Sequence, residues 1–217
     1  MSLRAEQKFR TRRALMDAAL RQLSADRGFG SLSLREIARE AGIAPTSFYR
    51  HFTDLDELGL ALVDEAGVAL RQLMRQARKR IQRHGGAIET SVETFMEYLT
   101  DNANLFRLLL RERTGVSRIF RTAVQAEIDH FITELAEDLE KFAASRNRPL
   151  WDAHLVAESM VVLVFHLGAE ALDAPPRRRS RLKDKLKSEL RMILVGAQTM
   201  AQQTSEVGWA VNGPETD

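Results

Sequence analysis

The sequence predicts an all-α protein in which a three-helix N-terminal unit runs through a long helix into a larger helical C-terminal unit. Three observations carry that expectation. Apolar residues recur every three or four positions along most of the chain, and no run alternates as a half-buried strand would. The five prolines fall between these runs: Pro45 opens a short one, Pro149 precedes a long apolar one, Pro175-Pro176 sit in a loop and Pro214 in the tail. Gly28, Gly30, Gly42 and the Gly85-Gly86 pair stand where runs stop.

The elements follow in order. Residues 6–24 form a first helix, with Leu15, Ala18, Ala19 and Leu23 on one face and Gly28-Phe29-Gly30 ending it. Ser33-Leu34-Arg35-Glu36 has the form of a capping box, in which Ser33 caps the Glu36 amide and Glu36 reaches back. The second helix therefore starts at Ser33 and stops at Gly42, which tolerates a left-handed turn. A short third helix runs from Ala44 to His51, with Pro45 in its first turn. Thr53 to Asp56 opens a fourth helix that continues to Arg83, its apolar face built from Leu58, Leu62, Leu70, Leu73, Ala77 and Ile81. Further helices are expected over 87–101, 103–113, 117–145, 150–172 and 178–203. The units divide as residues 1–53, residues 54–204 and a frayed tail over 205–217, with no flexible linker near residue 53.

Composition excludes several functions. Without cysteine the chain of 217 residues has no disulfide, no thiolate nucleophile and no cysteine-ligated zinc, and a reducing cytoplasm is the expected location. The basic stretch Met1 to Arg13 lacks the apolar core of a signal peptide, and the apolar run Met160–Phe165 is too short to cross a bilayer, so no membrane insertion is expected. None of the five histidines sits in an H-E-x-x-H spacing, and the pairs His130/Glu134 and His154/Glu158 are expected to be surface contacts rather than metal ligands. There is no phosphate-cradling glycine loop and no nucleophile elbow, so neither catalytic residues nor a cofactor are expected. Charge, in contrast, is distributed unevenly. Residues 1–52 carry ten basic and five acidic side chains, a net of +5, whereas the rest of the chain nets −3. The basic end is the one suited to a polyanion.

Residues 33–51 read as helix, glycine turn, short helix. Ile37, Ala38, Ala41 and Ile43 allow the two helices to pack steeply, and Phe48 and Phe52 turn inward. The third helix then exposes Thr46, Ser47, Tyr49, Arg50 and His51. This is the helix-turn-helix pattern, whose second helix enters the major groove of DNA. Small hydroxyls suit base edges or phosphates, Arg50 suits phosphate or guanine, and Tyr49 and His51 reach the backbone. Ser33 at the start of the second helix, and Lys8, Arg10 and Arg12 on the first, complete the DNA-binding set.

On these residues the chain resembles the TetR family of transcriptional regulators. Ile37-Ala38-x-x-Ala41-Gly42 and Ser47-Phe48-Tyr49-Arg50-His51-Phe52 match that family's signature, and Ala18-Ala19, Leu23 and Gly28-Phe29 agree with its first helix. One position departs. The family's lysine after the Tyr-x-x-Phe segment is missing, and Thr53-Asp54-Leu55-Asp56-Glu57 offers acids instead, which suit a helix N-terminus. The stretches 33–52, 56–60, 70–78, 106–113 and 168–172 resemble the FabR/DesT-type regulators of unsaturated fatty acid synthesis. The resemblance implies a homodimer on double-stranded operator DNA, governed by a long-chain acyl-CoA read by acyl shape.

For such a ligand, Phe95, Leu99, Phe106, Leu109, Leu110, Phe131 and Phe165 can line an apolar cavity, with Arg113 beside it. The same apolar side chains equally make a filled core. Arg107, Arg111, Arg118 and Arg121, and a second cluster at Arg71, Arg75, Arg78, Lys79, Arg80 and Arg83, either meet phosphates, pair with acids or stay solvated. The last two helices are expected to form the dimer interface. Val161–Leu167 is apolar nearly all round, Leu182, Leu186, Leu190, Ile193, Leu194 and Ala197 make a stripe, and Gly168, Ala169 and Gly196 allow close approach. Two other readings stay open: a repressor sensing a drug or other amphiphile, and a helical lipid carrier without a DNA role.

Overall fold

The computed structural model describes residues 3–207, with side chains through Gln203. Among the described residues there are nine α-helices, one short 3₁₀ turn at Phe29–Ser31 and no strand. The helices are α1 Leu3–Gln22, α2 Leu34–Glu40, α3 Pro45–Phe48, α4 Leu55–His84, α5 Ala87–Asp101, α6 Ala103–Glu112, α7 Arg118–Ser145, α8 Ala153–Leu172 and α9 Pro176–Val207.

In the N-terminal unit, Leu15, Ala18 and Ala19 of α1 meet Ile37 and Ala38 of α2 and Phe48 of α3, all with no exposed surface. Alanines at three of these positions let the helices close on one another. Gly42 takes a φ of +72°, so a side chain there would be strained, and Ile43 donates its amide to the Ala38 carbonyl across the turn. Phe48 and Phe52 turn inward as expected, their rings 5.7 Å apart, and each burial is worth about 2–3 kcal/mol.

Three local expectations are corrected. The capping box at Ser33 does not form: the Ser33 hydroxyl caps no amide, and Glu36 instead accepts from Arg27 at 2.5 Å. The reciprocal arrangement occurs at α4. Asp54 accepts from the Glu57 amide at 2.8 Å and Glu57 accepts from the Thr53 amide at 2.7 Å, which explains why acids occupy this junction. Finally, α3 has one turn of α-helix; Arg50 and His51 then donate to Ser47 and Phe48, three residues back, so the turn tightens before Phe52.

The 30 residues of α4 run unbroken from the N-terminal unit into the C-terminal one. At about 1.5 Å per residue the helix is about 45 Å long. One continuous apolar core extends along it, from Leu15 of α1 to Ala197 of α9. An ionic ladder zips α4 to α7: Arg71 to Glu127 at 2.9 Å, and Arg78 to Asp138 at 2.5 Å and Glu134 at 3.3 Å. Arg80 pairs with Glu97 of α5 at 2.5 Å. Half of this basic cluster is therefore spent on acids, and the side chains of Arg75, Lys79 and Arg83 make no ion pair among the described residues.

By length and composition the whole of α8 is apolar enough to cross a membrane, more than the run Met160–Phe165 alone suggests. Its setting accounts for that character. The helix packs on α5, α6, α7 and α9 with Met160, Val161, Phe165 and Leu167 buried, and Gly168 lies against Phe95 and Phe106, where a Cβ would come within 3.0 Å of both rings. The leucine stripe of α9 is likewise internal: Leu182, Leu186 and Leu190 are buried within the chain, so they pack the protomer rather than face a partner. Helix α9 continues to Val207, past residue 205 where the tail was expected. Residues 208–217, and with them most of that tail, lie outside the described residues.

Candidate nucleic-acid interface

Tyr49 is the most informative side chain of the helix-turn-helix. It is 61% exposed while its neighbour Phe48 is fully buried, and the two rings meet edge-on at 5.8 Å. The buried ring thus props the exposed one outward. Thr46 and Arg50 are also exposed, and Ser47 and His51 are half-buried, so the five residues expected on this surface reach it to different degrees.

The first helix contributes unequally. Lys8 is exposed, and its charge is felt at His51. Arg10 pairs with Glu6 at 2.7 Å on the same helix. Arg12 is held from three sides: it donates to the His51 carbonyl at 2.6 Å, lies over the Phe52 ring at 4.0 Å and sits 3.7 Å from Glu57. It staples α1 to the end of α3. Ser33, freed from capping, keeps its hydroxyl at the N-terminus of α2.

The pairing of the remaining bases shows where positive charge is left over. Arg13 is shared by Glu65 and Asp17, Arg21 is taken by Glu40, and Arg27 by Glu36. Arg4, Lys8, Arg35, Arg39 and Arg50 are exposed, their side chains making no hydrogen bond or ion pair among the described residues. In the sequence, Arg35 and Arg39 count only toward the charge of the segment. In the fold they stand one turn apart on α2 and, with Gly42, Ile43 and Pro45, line an open cleft of about 490 Å³ beside the start of α3. Glu36 lines the same cleft, but its carboxylate is taken by Arg27, so the i, i+4 spacing of Arg35 and Arg39 is the signal the sequence holds for this pair. Cations converge on His51, whose imidazole is held below its ordinary value of 6.5 by burial and then by Lys8, Arg12 and Arg50. It is therefore neutral in the free protein near neutral pH.

A second set of residues joins this surface to the C-terminal unit. Gly59 of α4 lets the Phe29 and Phe120 rings meet edge-on at 5.3 Å; a Cβ there would lie 2.5 Å from Phe120 and 2.7 Å from Phe29. Asn104 of α6 donates to the Leu20 carbonyl of α1 at 2.8 Å. Glu112, at the end of α6, is buried and accepts from the Phe29 amide; burial raises its carboxyl above the ordinary range against the pull of that amide and of Arg111. Between α5, α6 and α8, Phe106 packs edge-on against Phe95 at 5.7 Å and Phe165 at 5.1 Å. Leu99 and Leu109 are buried with them, as is Phe131 on α7, while Leu110 is half-buried and Arg113 exposed. Of the neighbouring arginines, Arg107 pairs with Asp173 and Arg121 donates to the carbonyls of Gly115 and Val116. Among the described residues no three His, Asp or Glu side chains gather as a metal site.

A basic helix-turn-helix carried on a long helix, fused through one core to a helical bundle, defines a DNA-binding regulator. The family model for bacterial regulatory proteins of the tetR family matches residues 15–62, and the tetracyclin repressor-like C-terminal domain matches residues 84–193. The chain belongs to the TetR family, whose members are DNA-binding transcriptional regulators, not enzymes, and act as dimers with small-molecule ligands. Solved structures share the fold. A transcriptional regulator of the TerR/AcrR family from Aquifex aeolicus VF5 aligns with a TM-score of 0.64 at 20% identity, over 84% of this chain and 99% of that one. The fatty acid degradation regulator FadR from Bacillus halodurans aligns at 0.66 and 14% identity, over 85% and 94%. A TetR-like transcriptional regulator from Rhodococcus sp. RHA1 aligns at 0.63 and 22% identity, over 86% and 96%.

Proposed function

We propose that this TetR-family regulator is a cytoplasmic, homodimeric repressor of genes for fatty acid desaturation or unsaturated fatty acid synthesis, controlled by long-chain acyl-CoA. Residues 1–53 read the operator, and residues 54–204 bind the effector and the second subunit. The observation that carries the DNA role is the exposed Tyr49 on a helix fixed by buried Phe48 and Phe52, flanked by unpaired cations. Thr46, Ser47, Tyr49, Arg50 and His51 face the major groove, and Lys8, Ser33, Arg35 and Arg39 face flanking phosphates.

The acyl chain enters among Phe95, Leu99, Phe106, Leu109, Leu110, Phe131 and Phe165, with Arg113 at the rim. The apolar core between α5, α6 and α8 supports this, together with the similarity of residues 106–113 and 168–172 to acyl-CoA-responsive regulators. A bent or straight chain displaces α6 differently. Two contacts of α6 hand that displacement to the reading unit, Asn104 to Leu20 and Glu112 to Phe29, beside a third connection from α7, Phe120 to Phe29. The effector shifts DNA affinity only as far as it binds the two arrangements unequally.

A second reading keeps the repressor and replaces the ligand by a less charged amphiphile. It is favoured by the engagement of Arg107 and Arg121, which leaves Arg111, Arg113 and Arg118 of that arginine cluster for the CoA phosphates. Operator affinity measured with oleoyl-CoA, palmitoyl-CoA and a cationic dye separates the two. Opposite or unequal effects of the two acyl-CoAs are expected; identical affinities in both, with a response to the dye, would overturn the lipid reading.

A further inference from the structure

The first turns of α9 carry more charge than the DNA-reading unit needs or the protomer neutralises. Between Pro176 and Lys187 stand Arg177, Arg178, Arg179, Arg181, Lys183, Lys185 and Lys187, against a single acid, Asp184. Arg178 pairs with Glu170 at 2.9 Å, Arg179 donates to the carbonyls of Ala171 and Leu172, Lys185 lies 3.7 Å from Glu189, and Lys187 pairs with Glu93 at 3.0 Å. The side chains of Arg177, Arg181 and Lys183 make no hydrogen bond or ion pair among the described residues, although the charge of Lys183 is felt at Glu93. Arg177, Arg181 and Lys185 repeat every four residues, so they stack along one face and repel one another. Arg177 also occupies the first turn, where the helix dipole is already positive. Three of the seven bases are thus left without an ion pair among the described residues, and an external polyanion would relieve their repulsion.

The place of this corner in the fold selects the polyanion. Glu89 and Glu93 of α5 pair with Arg191 and Lys187 of α9, so the two helices run antiparallel. The start of α9 therefore lies at the far end of α5, where the chain turns into α6 and Asn104 bonds to α1. Arg107 of α6 reaches Asp173, three residues before Pro176. The basic corner thus sits at the end of the bundle that meets the reading unit. It also adjoins α8 and α9, whose outer faces leave Leu155, Val162, Met192 and Val195 exposed. Two chains paired through those faces would set two such corners beside the two-fold axis, between the reading heads.

We infer that the α8–α9 corner is a second DNA surface, on which Arg177, Arg181 and Lys183 neutralise backbone phosphates between the two half-sites without reading sequence. This rests on the DNA-binding role proposed above, and the experiment separates the two. A duplex is selected from a random pool with the wild-type protein, and its affinity is followed by fluorescence anisotropy over about 50 to 300 mM KCl. The same titration uses the triple variant Arg177→Gln, Arg181→Gln, Lys183→Gln, its dimer and helix content checked by sedimentation and circular dichroism. The expected result is a log–log salt slope shallower by about 2 to 5 per dimer, with similar losses on selected and scrambled duplexes. An unchanged slope beside a wild type that binds would overturn the inference alone. The inference also fails if the variant keeps its slope but loses binding of free coenzyme A, which would assign the corner to the effector. A wild type that selects no duplex would overturn both the corner and the DNA role.

Discussion

His51 and Glu112 are the two side chains whose protonation the fold has shifted most usefully, and they act at opposite ends of the reading unit. The His51 imidazole is depressed below 6.5 by burial and three cations, and DNA phosphates would reverse that influence. Binding then takes up a proton, so operator affinity is expected to rise as pH falls through the ordinary histidine range, and His51→Gln to flatten the profile; titration by anisotropy checks this. Glu112 is raised by burial, so the folded chain holds its proton more tightly than the unfolded chain does. Its stabilising contribution is complete below the ordinary value of 4.5 and is lost as pH rises through the folded-state value. Glu112→Gln, which keeps an acceptor for the Phe29 amide, is expected to gain in Tm relative to wild type as pH goes from about 4.5 to about 7.5. At this scale the sequence was legible where periodicity alone decides, as for Phe48, Phe52 and Tyr49. It was not legible where a partner lies far along the chain. Arg12 reads as a free phosphate ligand until the fold brings the His51 carbonyl, 39 residues away, to 2.6 Å. Ser33 reads as a cap until Arg27 claims Glu36.

The helices carry the link between reading unit and bundle, and Gly59 marks its tightest point. A methyl group there meets Phe29 and Phe120 at under 3.0 Å, and neither ring can withdraw without opening the contact between the units. Gly59→Ala is expected to lower unfolding stability by about 1–3 kcal/mol in urea titration. The surviving folded fraction should answer the effector less strongly, since the ring contact is one of the three connections. Helix positions were readable almost throughout, because glycine and proline punctuate the apolar period. The leucine stripe of α9 shows what period cannot say: it identifies a buried face but not which molecule buries it. Here α5 and α8 of the same chain do so. The shortness of α3 was hidden for a related reason, since the tightening after Phe48 comes from docking both Phe48 and Phe52 into one core.

At the scale of the whole molecule, the open faces of α8 and α9 propose the dimer. Leu155 and Val162 lie exposed on α8, Met192 and Val195 on α9, and Gly196 has no neighbour within 4 Å, so a partner helix can approach closely. Val162→Lys combined with Val195→Lys is expected to give a folded monomer by sedimentation. That monomer should bind DNA at least about tenfold more weakly, because one reading head replaces two. Family membership and an all-helical plan were readable from the signature around Tyr49, whereas the effector core was not. Phe95, Phe106 and Phe165 pack against one another and Gly168 in this structure, and the same aromatic spacing serves a filled core and a ligand site alike.

The most direct measurement is hydroxyl-radical footprinting of a selected duplex with the wild-type dimer and with Tyr49→Ala, whose exposed ring can be removed without opening the core. Two protected patches about 34–36 Å apart, both lost in the variant while its dimer persists, are the predicted result. Protection that survives the loss of Tyr49, or a duplex left wholly unprotected by the wild type, would contradict the account.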